Sequence, residues 1–402
     1  MRAFPLILAL ALTGCATLSP PAPPPDAEVG VAFDGTSEIA SFADGVADPQ
    51  SHRAVTADDP VRVASISKMV VAIGVMKLVE AGKLDLDSDV SAVLGWRLRN
   101  PAFPDRAVTL RMLLSHTSSV RDHDDQYAIA LGGTVREAMA DLRSWDLKHG
   151  PGEGYFTYGN MNFPIVGSLI ERSTGERFDV WMKREVLAPM KLDACYNWAT
   201  CDDPLIARAV ELDGPDGKPQ KDDLHGVRPA CPVALKDGAP CDLTSLRLGD
   251  NGALFGPQGG LRISARGLAR VGRMLLGGGM IDGARILSPR SVDTLLAQAW
   301  RFDGRNGATE HGFICSYGLA TQQIPTRAAG CLDDPGTQGA ILVGHAGDAY
   351  GLKAGLWIDR VRGVGIAYYV TGIAEYPPLG PGTAFGAAEQ QAFRRTYALL
   401  PH

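Results

Sequence analysis

One stretch of this sequence, Met69 to Val79, is apolar on nearly every face that a helix would present. A helix without a polar face has nothing to show to water, so it must run through the middle of the protein with other elements packed around it. Gly82 closes the stretch as a C-cap. Its opening is Ser65-Ile66-Ser67-Lys68, the only Ser-x-x-Lys in the chain. A helix begun at Ser65 carries Lys68 one turn on and on the same face, where the ammonium reaches the hydroxyl. The free amides and positive dipole end of the helix surround the Ser65 oxygen, favouring an alkoxide and depressing the pKa of Lys68. Serine alone is a poor nucleophile, and this arrangement activates it. The same letters also describe an N-cap serine beside a snorkelling lysine, so the motif takes its meaning from what accompanies it.

Upstream, the alternating segments 29–33 and 37–42, broken by Asp34-Gly35 and Asp44-Gly45, read as an antiparallel hairpin. Helical patterns follow at 110–114, 136–142, 165–172, 180–186, 265–276 and 291–298. Residues 193–260, rich in Gly, Pro and Cys with a turn cluster at Asp213-Gly214-Pro215-Asp216-Gly217, read as long loops over the site. Strand signals return at 341–343, 354–358 and 364–370, and a final helix spans 385–399. Strands at both ends with helices between imply an α+β fold. One antiparallel sheet is built from the two chain ends, flanked by helices, and carries an inserted, mostly helical domain.

With 402 residues, 45% of them hydrophobic and 21% charged, the chain has ample material for a core. A formal charge of -6 without basic clusters argues against nucleic acid as a partner. Met1-Arg2, the apolar run from Phe4 to Leu12 and Thr13-Gly14-Cys15 are too short to span a membrane and read as a signal peptide over residues 1–14. Leu12-Thr13-Gly14-Cys15 resembles the lipobox of bacterial lipoproteins, in which the cysteine is lipidated and becomes the new N-terminus. Ala16 after Cys15 resembles outer-membrane sorting. The likeness implies a protein held by a lipid anchor in the bacterial envelope, at the outer membrane facing the periplasm. Residues 15–28, with Ser19-Pro20-Pro21-Ala22-Pro23-Pro24-Pro25, read as an extended polyproline tether ahead of a domain over 29–402.

The six further cysteines form an even set in a chain that reads as exported, so disulfides are expected. Near-neighbour pairing joins Cys195 to Cys201, Cys231 to Cys241 and Cys315 to Cys331, although sequence alone leaves other connectivities open. A zinc site is disfavoured, because no Cys-x-x-Cys and no histidine at finger spacing is present.

Two further motifs accompany Ser65. Tyr158-Gly159-Asn160 falls in a short loop before the helix at 165, where the tyrosine can share the proton of Ser65 and Asn160 can bridge Lys68 and a substrate amide. His345-Ala346-Gly347 ends the strand at 341, where a glycine lets backbone and substrate approach closely. Around these stand Leu78-Val79-Glu80-Ala81-Gly82-Lys83-Leu84-Asp85-Leu86-Asp87, Leu113-Leu114-Ser115-His116-Thr117-Ser118 and Gly259-Gly260-Leu261. In this order, over about 29–399, the motifs resemble those of the serine β-lactamase and penicillin-binding protein superfamily, closest to its class C, DD-peptidase and esterase branch.

The resemblance implies a β-lactamase/transpeptidase-like fold and a serine hydrolase without a cofactor or metal. Ser65 would attack a carbonyl and form an acyl-enzyme, with Lys68 and Tyr158 sharing the role of general base as a coupled pair. The backbone amides of Ser65 and Asp348 would hold the oxyanion. Asn160, His345 and Gly347 would line the substrate. His345 stands where β-lactamases carry a lysine that helps bind the drug carboxylate, which implies weak or absent β-lactamase activity. The expected substrates are amides or esters in the envelope, the peptidoglycan stem peptide among them. The alternative is a non-catalytic peptidoglycan-binding lipoprotein, or a penicillin sensor of the same fold. Ser119 stands where the family often has glycine, and Gly267 where it often has aspartate. Asp122-His123-Asp124-Asp125 suits a solvated loop at least as well as a cation site, His116 suits a structural hydrogen bond, and Ser67 suits support of the site without reacting.

Overall fold

The computed structural model describes residues 25–401. The signal peptide expected at 1–14, the lipidation expected at Cys15 and most of the expected tether lie outside them. A nine-stranded antiparallel sheet forms the frame. Its strands are β1 (Ala27–Asp34), β2 (Glu38–Asp48), β3 (Arg53–Ala54), β4 (Trp300–Arg301), β5 (Ser316–Tyr317), β6 (Gln322–Ile324), β7 (Leu342–Ala349), β8 (Leu352–Asp359) and β9 (Val364–Val370). Their order is β4-β5-β6-β7-β8-β9-β1-β2-β3, so the first strand pairs with the last, Val31 opposite Ala367. β9 is buried along its whole length, and β1 along all but its last residue, as strands covered on both faces must be.

Four helices matter most for the site: α1 (Ile66–Glu80), α2 (Asn162–Thr174), α3 (Ala265–Leu276) and α4 (Ala387–Tyr397). α4 covers one face of the central strands, with Phe393 and Tyr397 among Ala32, Ile366 and Tyr368. α3 packs on the other face, where Val29, Val31 and Phe33 join the larger core. α1 is buried from Ile66 through Met76 and again at Leu78, with almost no amphipathic character, and runs between β7 and the helical region as its composition demanded. Among the described residues no helix is long and apolar enough to cross a membrane.

The frame departs from the sequence reading in four places. Ala27 and Glu28, assigned to the tether, already pair with Gly45 and Asp44, so the ordered sheet starts two residues earlier. Asp44-Gly45 does not end a strand, because Gly45 takes φ +95 inside β2, a conformation open to glycine, and the strand continues to Asp48. The helix expected at 136–142 is a single capped turn, Val135–Ala138. Asp141 then caps a separate turn at Leu142–Ser144 by accepting from the Arg143 amide. His345-Ala346-Gly347 sits inside β7 rather than at its end, since β8 continues the ladder opposite it through Ala349.

A small three-stranded sheet connects this frame to the nucleophile. Val61–Arg62 pairs with Leu261–Ile263, which pairs in turn with Cys195–Tyr196. It ties the start of α1 to the long central loops, which the disulfides Cys195–Cys201 and Cys231–Cys241 brace, while Cys315–Cys331 closes the stretch that contains β5 and β6.

Candidate active site

Ser65 occupies the N-cap of α1 without using its side chain to cap, which leaves the hydroxyl for chemistry. The turn is fixed by its neighbour: Ser67 Oγ donates to the Ala64 carbonyl at 2.6 Å and accepts from the Leu261 amide at 3.0 Å. One turn on, Lys68 Nζ donates to Ser65 Oγ at 2.8 Å, Asn160 Oδ1 at 2.8 Å and the Gln258 carbonyl at 2.6 Å. Three acceptors match the three protons of an ammonium, but no carboxylate touches it. Burial therefore lowers the Lys68 pKa to about 7, opposed by the more distant charge of Asp122.

The Tyr158 loop is built by residues that carry no reaction. Asp122 accepts from the Asn160 amide at 2.6 Å and the Met161 amide at 2.9 Å, stapling the turn that opens α2. His116 Nδ1 lies 3.2 Å from both the Gly159 amide and Asn162 Nδ2, so this nitrogen is the acceptor of a neutral ring. Burial keeps that imidazole well below its ordinary pKa, and its ring centroid lies 4.5 Å from that of Tyr158. His116 is a support for Tyr158. The Tyr158 hydroxyl is buried and without a hydrogen-bond partner, though near enough to Ser65 to respond to it, and burial raises its pKa above the usual phenol range.

β7 brings the third motif against the nucleophile. A Cβ on Gly347 would stand 2.4 Å from the Val63 carbonyl, so only glycine lets this strand pass the segment leading into Ser65. His345 Nδ1 faces the Ala346 carbonyl at 2.5 Å and Nε2 faces Tyr317 Oη at 2.8 Å. The ring thus donates from Nδ1 and accepts at Nε2, and burial holds its pKa at about 3. Asp348 turns its carboxylate to Lys353 on β8, leaving its amide as the feature of interest. Ser65, Tyr158, Asn160, His345 and Asp348 line one cavity of about 640 Å³, roofed by parts of the 193–260 loops.

Several residues that build this site had no signal in the sequence reading. Asp122 was grouped with the solvated run Asp122–Asp125. In the structure it serves backbone amides, while Asp124 pairs with Arg143. Tyr317 lies in the two-residue strand β5, too short to show in the sequence, and Gln258 acts through its backbone carbonyl just ahead of Gly259-Gly260-Leu261. Ser119 takes φ +64 where glycine would be easier, and its hydroxyl accepts from Asn100 Nδ2 at 3.1 Å. Gly267 sits where a Cβ would meet Ile263 Cγ1 at 2.6 Å.

A family model described as Beta-lactamase matches residues 25–387, which contain the Ser65, Tyr158 and His345 motifs. The chain belongs to the β-lactamase family. Membership places it in the serine hydrolase superfamily that includes the β-lactamases. Esterase EstB of Burkholderia gladioli is 26% identical over 352 residues, covering 81% of this chain and 80% of that protein. Penicillin-binding protein 4 of Amycolatopsis lactamdurans is 27% identical over 275 residues, covering 68% of this chain, which spans 65% of that protein. Among solved structures, D-amino acid amidase from Ochrobactrum anthropi SV3 superposes with a TM-score of 0.65 at 18% identity, covering 93% of each chain. A class C β-lactamase from Rhodobacter sphaeroides gives 0.63 at 17% identity over 93% of this chain and 94% of that one. These two share the β-lactamase/transpeptidase-like fold.

Proposed function

We propose that the protein hydrolyses an ester or amide through an acyl-enzyme on Ser65, in the manner of the esterases and peptidases of its family and with weak or no β-lactamase activity. The observation that carries this reading is the 2.8 Å contact between Lys68 Nζ and Ser65 Oγ, made by a lysine whose pKa lies at about 7. A neutral Lys68 accepts the Ser65 proton as Oγ bonds to the carbonyl carbon. The negative charge that moves onto the carbonyl oxygen is met by the amides of Ser65 and Asp348. Tyr158, kept protonated by burial, donates its proton to the leaving oxygen or nitrogen and regains one from the Lys68 ammonium. Water then attacks the acyl carbon, its proton returns through the same pair, and the acid leaves with Ser65 restored. Lys68 is therefore the base, and Tyr158 the proton relay.

The exported, lipid-anchored setting in the bacterial envelope and the peptidoglycan stem peptide as one natural amide belong to the same proposal. They are supported by the Cys15 lipobox pattern and by a penicillin-binding protein among the relatives. The test is the intact mass of the protein after a fluorophosphonate probe, with Ser65→Ala alongside. One adduct on the wild type and none on the variant supports the reading. No adduct on either favours a binding module, and a long-lived penicilloyl adduct after separate exposure to a penicillin favours a penicillin sensor.

A further inference from the structure

Arg62 and Arg262 stand directly opposite each other across the small sheet. Like charges so placed repel, and the charge of Asp222 acts on both while its oxygens bond only Arg262. Asp222 accepts from Arg262 Nη2 at 2.5 Å and Nε at 3.1 Å and from Trp198 Nε1 at 3.0 Å. Arg62, only 9% exposed, has no ion pair among the described residues, and its Nε is buried without a hydrogen-bond partner. Its guanidinium lies 5.0 Å from the centroid of the Tyr350 ring, and Lys221 Nζ lies 5.6 Å from the same ring. Burial and Arg262 lower the Arg62 pKa to about 10, so it stays charged at neutral pH.

Arg62, Lys221 and Tyr350 line the cavity that holds Ser65. Of the acids on the same wall, Asp222 is taken by Arg262, Asp223 lies 2.8 Å from His225, and Asp348 pairs with Lys353. Glu310 stands on the Tyr158 side. Arg62, Arg262 and Lys221 thus share the single charge of Asp222; an incompletely compensated buried cation is costly, and Arg62 and Lys221 line the space where substrate must lie. The flat guanidinium fork matches a carboxylate.

We infer that Arg62, with Lys221 beside it, seats a carboxylate carried by the substrate, so that the preferred esters or amides are acidic ones. This rests on Ser65 as the acylated residue. It also separates the anion seat from His345, whose strand lacks a cation at the third motif.

The test compares p-nitrophenyl hydrogen glutarate with methyl p-nitrophenyl glutarate, which differ only in that charge. The wild type is expected to favour the acid in kcat/KM by about ten- to a hundredfold. Arg62→Met and, separately, Lys221→Met are expected to bring the ratio toward one, a readout that loss of folded enzyme does not imitate. A wild-type ratio at or below one, or a ratio unchanged in both variants, overturns the proposal. Should Ser65 fail to label with the fluorophosphonate, calorimetric binding of glutarate decides the anion seat independently. Binding weakened about tenfold by Lys221→Met supports it, and no binding by the wild type overturns it.

Discussion

Asp122 holds Asn160 in place from across the site, its carboxylate accepting the Asn160 amide at 2.6 Å and the next amide, Met161, at 2.9 Å. Its charge also favours the ammonium form of Lys68. Asp122→Asn removes the charge but keeps one acceptor oxygen, so the Lys68 pKa falls further and the acid limb of the kcat/KM profile moves to lower pH. Asp122→Ala frees the turn as well and is expected to cost about a hundredfold in kcat/KM, the scale of a small misplacement of catalytic groups. An unmoved limb in Asp122→Asn would refute the electrostatic link.

The wild-type profile carries its own sign. Lys68 accepts a proton only when neutral, so kcat/KM for a neutral ester should fall about tenfold per pH unit below an apparent pKa of about 7. Lys68→Arg keeps the charge and loses the deprotonated state, with an expected loss of about 10²–10⁴-fold. A flat profile between pH 5 and 8 would remove Lys68 from the role of base.

Gly347→Ala forces a Cβ against the Val63 carbonyl. Overpacking of this kind costs about 1–3 kcal/mol, and here it acts between the strand that carries the Asp348 amide and the segment that carries Ser65. Thermal unfolding and fluorophosphonate labelling should both decline. Labelling at the wild-type rate would show that the two stretches move apart without consequence.

His345 is buried with a pKa of about 3, its Nε2 occupied by the Tyr317 hydroxyl. It is neutral throughout the physiological range and supplies no positive charge to a β-lactam carboxylate held along β7. Nitrocefin turnover by the purified protein is expected to be slow or absent. Rapid turnover would show that another cation serves in its place.

The frame was legible because its signals are local. Alternation in 29–42, the short turn-bounded apolar run at 364–370, the turn at Asp34-Gly35 and the unbroken apolar run of α1 are each signals held within one segment. The Ser65, Tyr158 and His345 motifs were legible as letters, and the structure brings all three to one cavity. What supports them was not. Asp122, Tyr317 and Arg62 act through contacts made across the fold, and nothing within a few residues of each distinguishes it from an ordinary charged or aromatic side chain. The same holds for the strand end at His345: whether β7 stops there depends on whether β8 is opposite, which is a property of pairing rather than of sequence.

The pairing of β1 with β9 has a temporal consequence. A chain still on the ribosome, or one cut short before residue 342, already carries Ser65, Lys68 and Tyr158, but the strand bearing Asp348 does not yet exist and β1 has no partner on that side. Contacts this distant in sequence form late and slowly. The proposed oxyanion amide of Asp348 thus meets Ser65 only after residues 342–370 have been made and paired, and turnover of a simple ester would double as an assay for that late folding step.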